Sequence, residues 1–103
     1  MADDQAPRTQ DLCLRSSLLA RLREGLPEQR VKLRQAMLAQ PIDTRELSAQ
    51  AHRLAGAAAY CGEDGLMRAA TALEQAAEVS GAPELKRAWA ALDAVLEAAV
   101  HSD

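Results

Sequence analysis

AHRLAGAAAYCGEDGLMRAATALEQAA, residues 51–77, is the stretch on which the fold turns. It is rich in small side chains and strong helix formers, which suit closely packed helices. A sheet draws instead on β-branched and aromatic residues. Upstream, Asp43 stands three positions before Glu46, the spacing of a helix capping box. The first helix of the stretch is therefore expected over 44–60, with Gly62 as its stop. A second helix is expected over 63–79, carrying Leu66, Met67, Ala70, Leu73, Ala77 and Val79.

On a wheel at about 100° per residue, Leu47, Ala51, Leu54, Ala58 and Cys61 fall in one arc, the core-facing stripe of the first helix. His52 lies roughly 140° from Leu47 and points outward. Gly56 follows one turn later on that outer face. Arg45, Ala49 and Ala59 flank the line, with Ser48 and Ala55 at its edge. A solvated helix face ordinarily carries Glu, Lys, Gln and Arg, yet here a histidine sits among Ala and Gly. Glycine in a helix interior costs about 1 kcal/mol relative to alanine, and access to the imidazole is a reason to keep it. Imidazole titrates near neutral pH and its unprotonated nitrogen is nucleophilic. An exposed ring nitrogen can attack an acyl phosphate and hold the phosphoryl group, while a partner supplies in-line geometry and Mg²⁺. A lone histidine on a helix surface is more often simply solvated, and Gly56 has a bland reading too, as a tolerated defect or a tight helix crossing.

Further outward, residues 1–9 are polar and aperiodic and read as a flexible lead-in to a helical domain over 10–101. Leu12, Leu18, Leu19, Leu22 and Leu26 predict a helix over 10–25, punctuated by Gly25 and Pro27. Another follows over 28–39, with Val31, Leu33, Met37 and Leu38 as anchors, and Pro41 ends it. After Gly81, Pro83 opens a last helix that ends near Val100 and carries Leu85, Trp89, Leu92, Val95 and Leu96. The chain is thus expected to be all-α: an antiparallel four-helix bundle with an additional N-terminal helix. Its length of 103 residues fits one domain. Aromatic residues make up 2% and Phe is absent, so Leu, Ala, Val and Met must form the core.

The net charge of −3, with no basic stripe, argues against nucleic acid as a partner. No apolar run approaches a membrane span and no signal-peptide pattern opens the chain, so a cytoplasmic location without membrane contact is expected. Cys13 and Cys61 form no disulfide framework, and with His52 and His101 they offer no zinc spacing, so no metal site is expected. There is no P-loop and no Gly-rich phosphate loop, hence no kinase activity of the chain's own.

The stretch 51–77 resembles the histidine-containing phosphotransfer (HPt) domain of bacterial two-component phosphorelays. That family shows His, Leu two residues on, Lys-Gly, a run of small residues, Gly, and then a Leu and a Leu-Glu pair on the next helix. The corresponding residues are His52, Leu54, Ala55-Gly56, Ala57 to Ala59, Gly62, Leu66 and Leu73-Glu74. The resemblance implies that His52 is phosphorylated and that Gly56 gives clearance for a docking receiver domain. It implies a monomeric phosphocarrier that takes a phosphoryl group from an aspartyl phosphate on one receiver and passes it to a response regulator. The partner would be the receiver of a hybrid histidine kinase, a response regulator, or both. It also implies that the chain needs no cofactor of its own and that Mg²⁺ comes with the receiver. Arg45, Ser48, Ala49, Arg53, Ala55, Gly56 and Ala59 are the expected binding residues.

One departure is Ala55, where many members carry Lys, a cation one turn from the histidine. Arg45, Arg53 and Arg68 are candidates to replace it, each ordinarily a solvated charge. The missing Lys also motivates an alternative, a receiver-binding module without phosphotransfer. A plain helical scaffold is a third reading. Glu74 either hydrogen-bonds toward the His helix or is solvated, Tyr60 is expected to be partly packed, and Trp89 is expected at the core or its edge.

Overall fold

The computed structural model describes the backbone of residues 2–79 and 81–101, and the side chains of residues 17–79, 81 and 83–99. Among the described residues there are four helices and no strand: α1 (Ala2–Leu38), α2 (Thr44–Tyr60), α3 (Asp64–Val79) and α4 (Ala82–His101). Residues 2–9, expected as a flexible lead-in, have helical backbone and form the start of α1; their side chains lie outside the described residues.

The break expected at Gly25 and Pro27 does not occur. α1 continues through both, and among the described residues no separate additional helix precedes the bundle. An interior proline costs about 3 kcal/mol and a glycine about 1. Against this, Leu22, Leu26, Leu33 and Ala36 form one buried stripe that spans the breakers. Burying each Leu contributes roughly 1.5–3 kcal/mol, so tertiary burial outweighs the local signal. Gly25 is partly exposed and Pro27 exposed, away from the packed face. Val31 and Leu38, expected as anchors, are 50% and 72% exposed, because the stripe that extends from Leu22 faces them outward. Val79 likewise lies at the exposed end of α3.

α1 packs on α2 and α4, and α3 packs on the same two helices, so the four helices close a ring. Neighbours run antiparallel. Ser48 and His52 of α2 meet Glu78 and Glu74 of α3 in reversed order. The Arg30 Nε of α1 donates to the Asp93 Oδ1 of α4 at 2.6 Å, with Glu97 at 3.7 Å from the same guanidinium. The hydrogen bond to Asp93 raises the Arg30 pKa above its ordinary value, against a smaller opposing effect of desolvation. The core is made of Leu and Ala, with Leu26, Leu33, Leu47, Leu54, Leu73, Leu92 and Leu96 fully enclosed. Trp89 packs against its edge.

Candidate functional site

α2 is held firmly at both ends. The Asp43 carboxylate accepts the backbone N–H of Glu46 at 3.1 Å, as an N-cap should. The reciprocal arm of a capping box is not made. The Asp43 N–H goes to the Ala36 carbonyl, and the Glu46 carboxylate accepts from the Gln50 amide instead. At the other end Gly62 takes φ 77°, and the N–H groups of Gly62 and Glu63 return to the carbonyls of Ala59 and Ala58. This is a Schellman motif, and its left-handed position is the one a glycine fills without strain. Leu47, Ala51, Leu54, Ala55 and Ala58 bury the inner face.

Those constraints aim His52 outward from the middle of a rigid helix, its side chain 75% exposed. Its Nδ1 lies 2.8 Å from Oε2 of Glu74, a carboxylate only 21% exposed. An ionised carboxylate can only accept, so Nδ1 carries the proton in this pair. In the neutral ring that tautomer leaves the Nε2 lone pair unprotonated and facing away from its partner. One turn earlier on α2, the Ser48 hydroxyl donates to Glu78 at 3.3 Å. The two helices therefore match rung to rung, Ser48 and His52 against Glu78 and Glu74.

A shallow open groove of about 700 Å³ runs along these rungs. Thr44, Arg45, Ser48, Ala49, His52 and Arg53 form one wall, and Glu74, Ala77 and Glu78 the other. The structure thus gathers Arg45, Ser48, Ala49 and Arg53 beside His52. Gly56 and Ala59 continue the exposed face of α2 beyond the groove. A Cβ built at Gly56 meets no atom within 4 Å, so no tight helix crossing explains this glycine. Ala55 is placed differently: it is 8% exposed and belongs to the core cluster. Tyr60 is 64% exposed rather than partly packed, since it lies on the α1 side of α2 beyond the buried stripe. Arg68 of α3 is exposed but lines no part of the groove. The side chains of Cys13 and His101 lie outside the described residues.

Glu74 was legible as one of two options, and the structure decides for the hydrogen bond. Periodicity and resemblance do not single out Glu78, Thr44 or Ala77, which the structure adds to the groove. Their signal was the matching four-residue spacing of Ser48–His52 and Glu74–Glu78 on consecutive helices. Among the described residues no three His, Cys, Asp or Glu side chains converge to hold a metal ion. Nor is any helix among them long and apolar enough to cross a membrane.

A protein-family model, the Hpt domain, matches residues 17–102. The chain belongs to the Hpt domain family. No curated protein and no solved structure matches it. Hpt domains are phosphotransfer modules of two-component signalling, phosphocarriers without kinase activity that work with receiver domains and response regulators. The matched residues include α2, α3 and α4 entire up to His101, and the part of α1 whose side chains are described.

Proposed function

We propose that this Hpt domain is a relay intermediate that accepts a phosphoryl group from an aspartyl phosphate of a receiver onto His52 and passes it to a response regulator. One observation carries the reading: an exposed imidazole whose Nδ1 is engaged by Glu74, leaving Nε2 as the nucleophile. In the step proposed, Nε2 attacks phosphorus and the Nε2–P bond forms. The acyl O–P bond breaks and its electron pair leaves with the receiver's carboxylate. The Nδ1 proton stays in the hydrogen bond to Glu74, which offsets the positive charge gained by the ring. Reversal onto a second receiver's Asp completes the relay.

The receiver supplies Mg²⁺, which neutralises charge on the phosphoryl oxygens when bound. Arg45, Ala49, Arg53, Gly56 and Ala59 present the exposed docking face, with Ser48 at its half-buried edge. Ala55 contributes from beneath, by filling the helix interface. The domain acts as a monomer in the cytoplasm, with the receiver of a hybrid histidine kinase, a response regulator, or both as partners.

The test uses receiver domains charged with acetyl phosphate, mixed with this chain and Mg²⁺, and follows acid-labile label. Wild type should be labelled and a folded His52→Gln variant should not. Normal labelling of that variant refutes the role of His52. Receivers that bind tightly but transfer nothing would favour the second reading, a receiver-binding module, which the alanine at position 55 motivates.

A further inference from the structure

We infer, resting on His52 as the phosphoryl acceptor, that Arg45 and Arg53 are the side chains of this domain that bind the phosphoryl group, in place of a cation at position 55. Four charged residues line the groove beside His52: Arg45 and Arg53 on α2, Glu74 and Glu78 on α3. Both carboxylates are engaged, Glu74 by His52 and Glu78 by Ser48. Neither arginine has an ion pair or side-chain hydrogen bond among the described residues.

Helical side chains lean toward the N-terminus of their helix. Arg53 therefore reaches back over Ala49, which is how it comes to line the same groove as Arg45. His52 leans the same way, above Ser48. A phosphoryl group on Nε2 adds a charge of roughly −1.5 to −2 at the mouth of a groove whose α3 wall is already acidic. Cations must offset it, and the planar guanidinium fork suits phosphate oxygens. The other candidates are excluded by position. Arg68 lies outside the groove, Arg34 sits 4.0 Å from Asp93 on another face, and position 55 faces the core.

The experiment phosphorylates the domain with phosphoramidate, a small donor that needs no receiver, with His52→Gln as the control for label on His101. The second ionisation of the phosphoryl group is then read by ³¹P NMR in wild type, Arg45→Ala, Arg53→Ala, the double Ala variant and the double Lys variant. Arg45, Arg53, Glu74 and Glu78 are the charged residues lining the groove at that group. Removing both cations should raise its pKa by about half a unit to one unit. The double Lys variant should recover most of the difference, and added salt should shrink it. Transfer from a receiver should fall about threefold to tenfold in the double Ala variant.

An unchanged phosphoryl pKa in the double Ala variant overturns the inference. A raised KM for the receiver with that pKa unchanged does so too, and assigns the arginines to the docking rim. If phosphoramidate labels His52 and the pKa shifts, yet no receiver transfers to it, the relay reading fails while the arginine assignment stands. Absence of label on His52 from any donor overturns both.

Discussion

Replacing Gly56 by Ala should stabilise the fold and slow its function. The added methyl meets no atom within 4 Å, so the folded state pays no steric penalty. Gly56 also lies in the interior of α2 without a positive φ, so an L-residue is conformationally at home there. Helix propensity and the loss of unfolded-state entropy favour alanine by about 0.5–1 kcal/mol. For a domain of this size 1 kcal/mol corresponds to roughly 4–8 °C in Tm. Thermal unfolding followed by circular dichroism reads that directly. Gly56→Leu should tolerate the fold equally well but place a large side chain one turn from His52. Its phosphotransfer from a receiver should fall by about tenfold or more, the equivalent of about 1.4 kcal/mol of docking. Labelling by phosphoramidate, which needs no docking surface, should be unchanged. A lower Tm for Gly56→Ala would show that the space is not open. Receiver transfer at the wild-type rate in Gly56→Leu would show that clearance is not why glycine stands there.

The neighbouring glycine should behave in the opposite way: Gly62→Ala forces an L-residue to φ 77° and should cost about 1–2 kcal/mol in urea unfolding, whereas a neutral result would contradict the Schellman geometry. Glu74→Ala removes the acceptor at Nδ1; imidazole ¹⁵N shifts should show the Nε2–H tautomer gaining population, and transfer should slow about threefold to tenfold. An unaltered ¹⁵N pattern would count against Glu74 as the positioning group. Leu54→Ala, at a fully enclosed site, should cost about 2–5 kcal/mol, while Val79→Ala at an 85% exposed one should stay within about 0.5 kcal/mol; equal losses would refute the core as described.

Much of the site was legible because it is local. The span of α2, its cap at Asp43 and its stop at Gly62 follow from turn chemistry within a few residues, and the outward aim of His52 follows from helical period. The wheel was less reliable at the boundary of a face. The helical period sets Ala55 at the edge of the outer surface, yet it is buried in the core cluster, because the width of a buried stripe depends on how closely the neighbouring helices approach. Small residues on both helices permit that approach, and neither helix alone records it.

Sequence by itself determined that the chain is helical, where α2, α3 and α4 lie, and that the His52 imidazole points outward, since propensity, capping and period act over one or two turns. Tertiary structure alone decided that α1 runs unbroken past Gly25 and Pro27, because the burial of Leu22, Leu26 and Leu33 against other helices outweighs two local breakers. It also decided which ring nitrogen of His52 is left free and which cations share its groove. Those depend on the antiparallel register that sets Glu74 and Glu78 against His52 and Ser48, and that register is a property of two helices packed together.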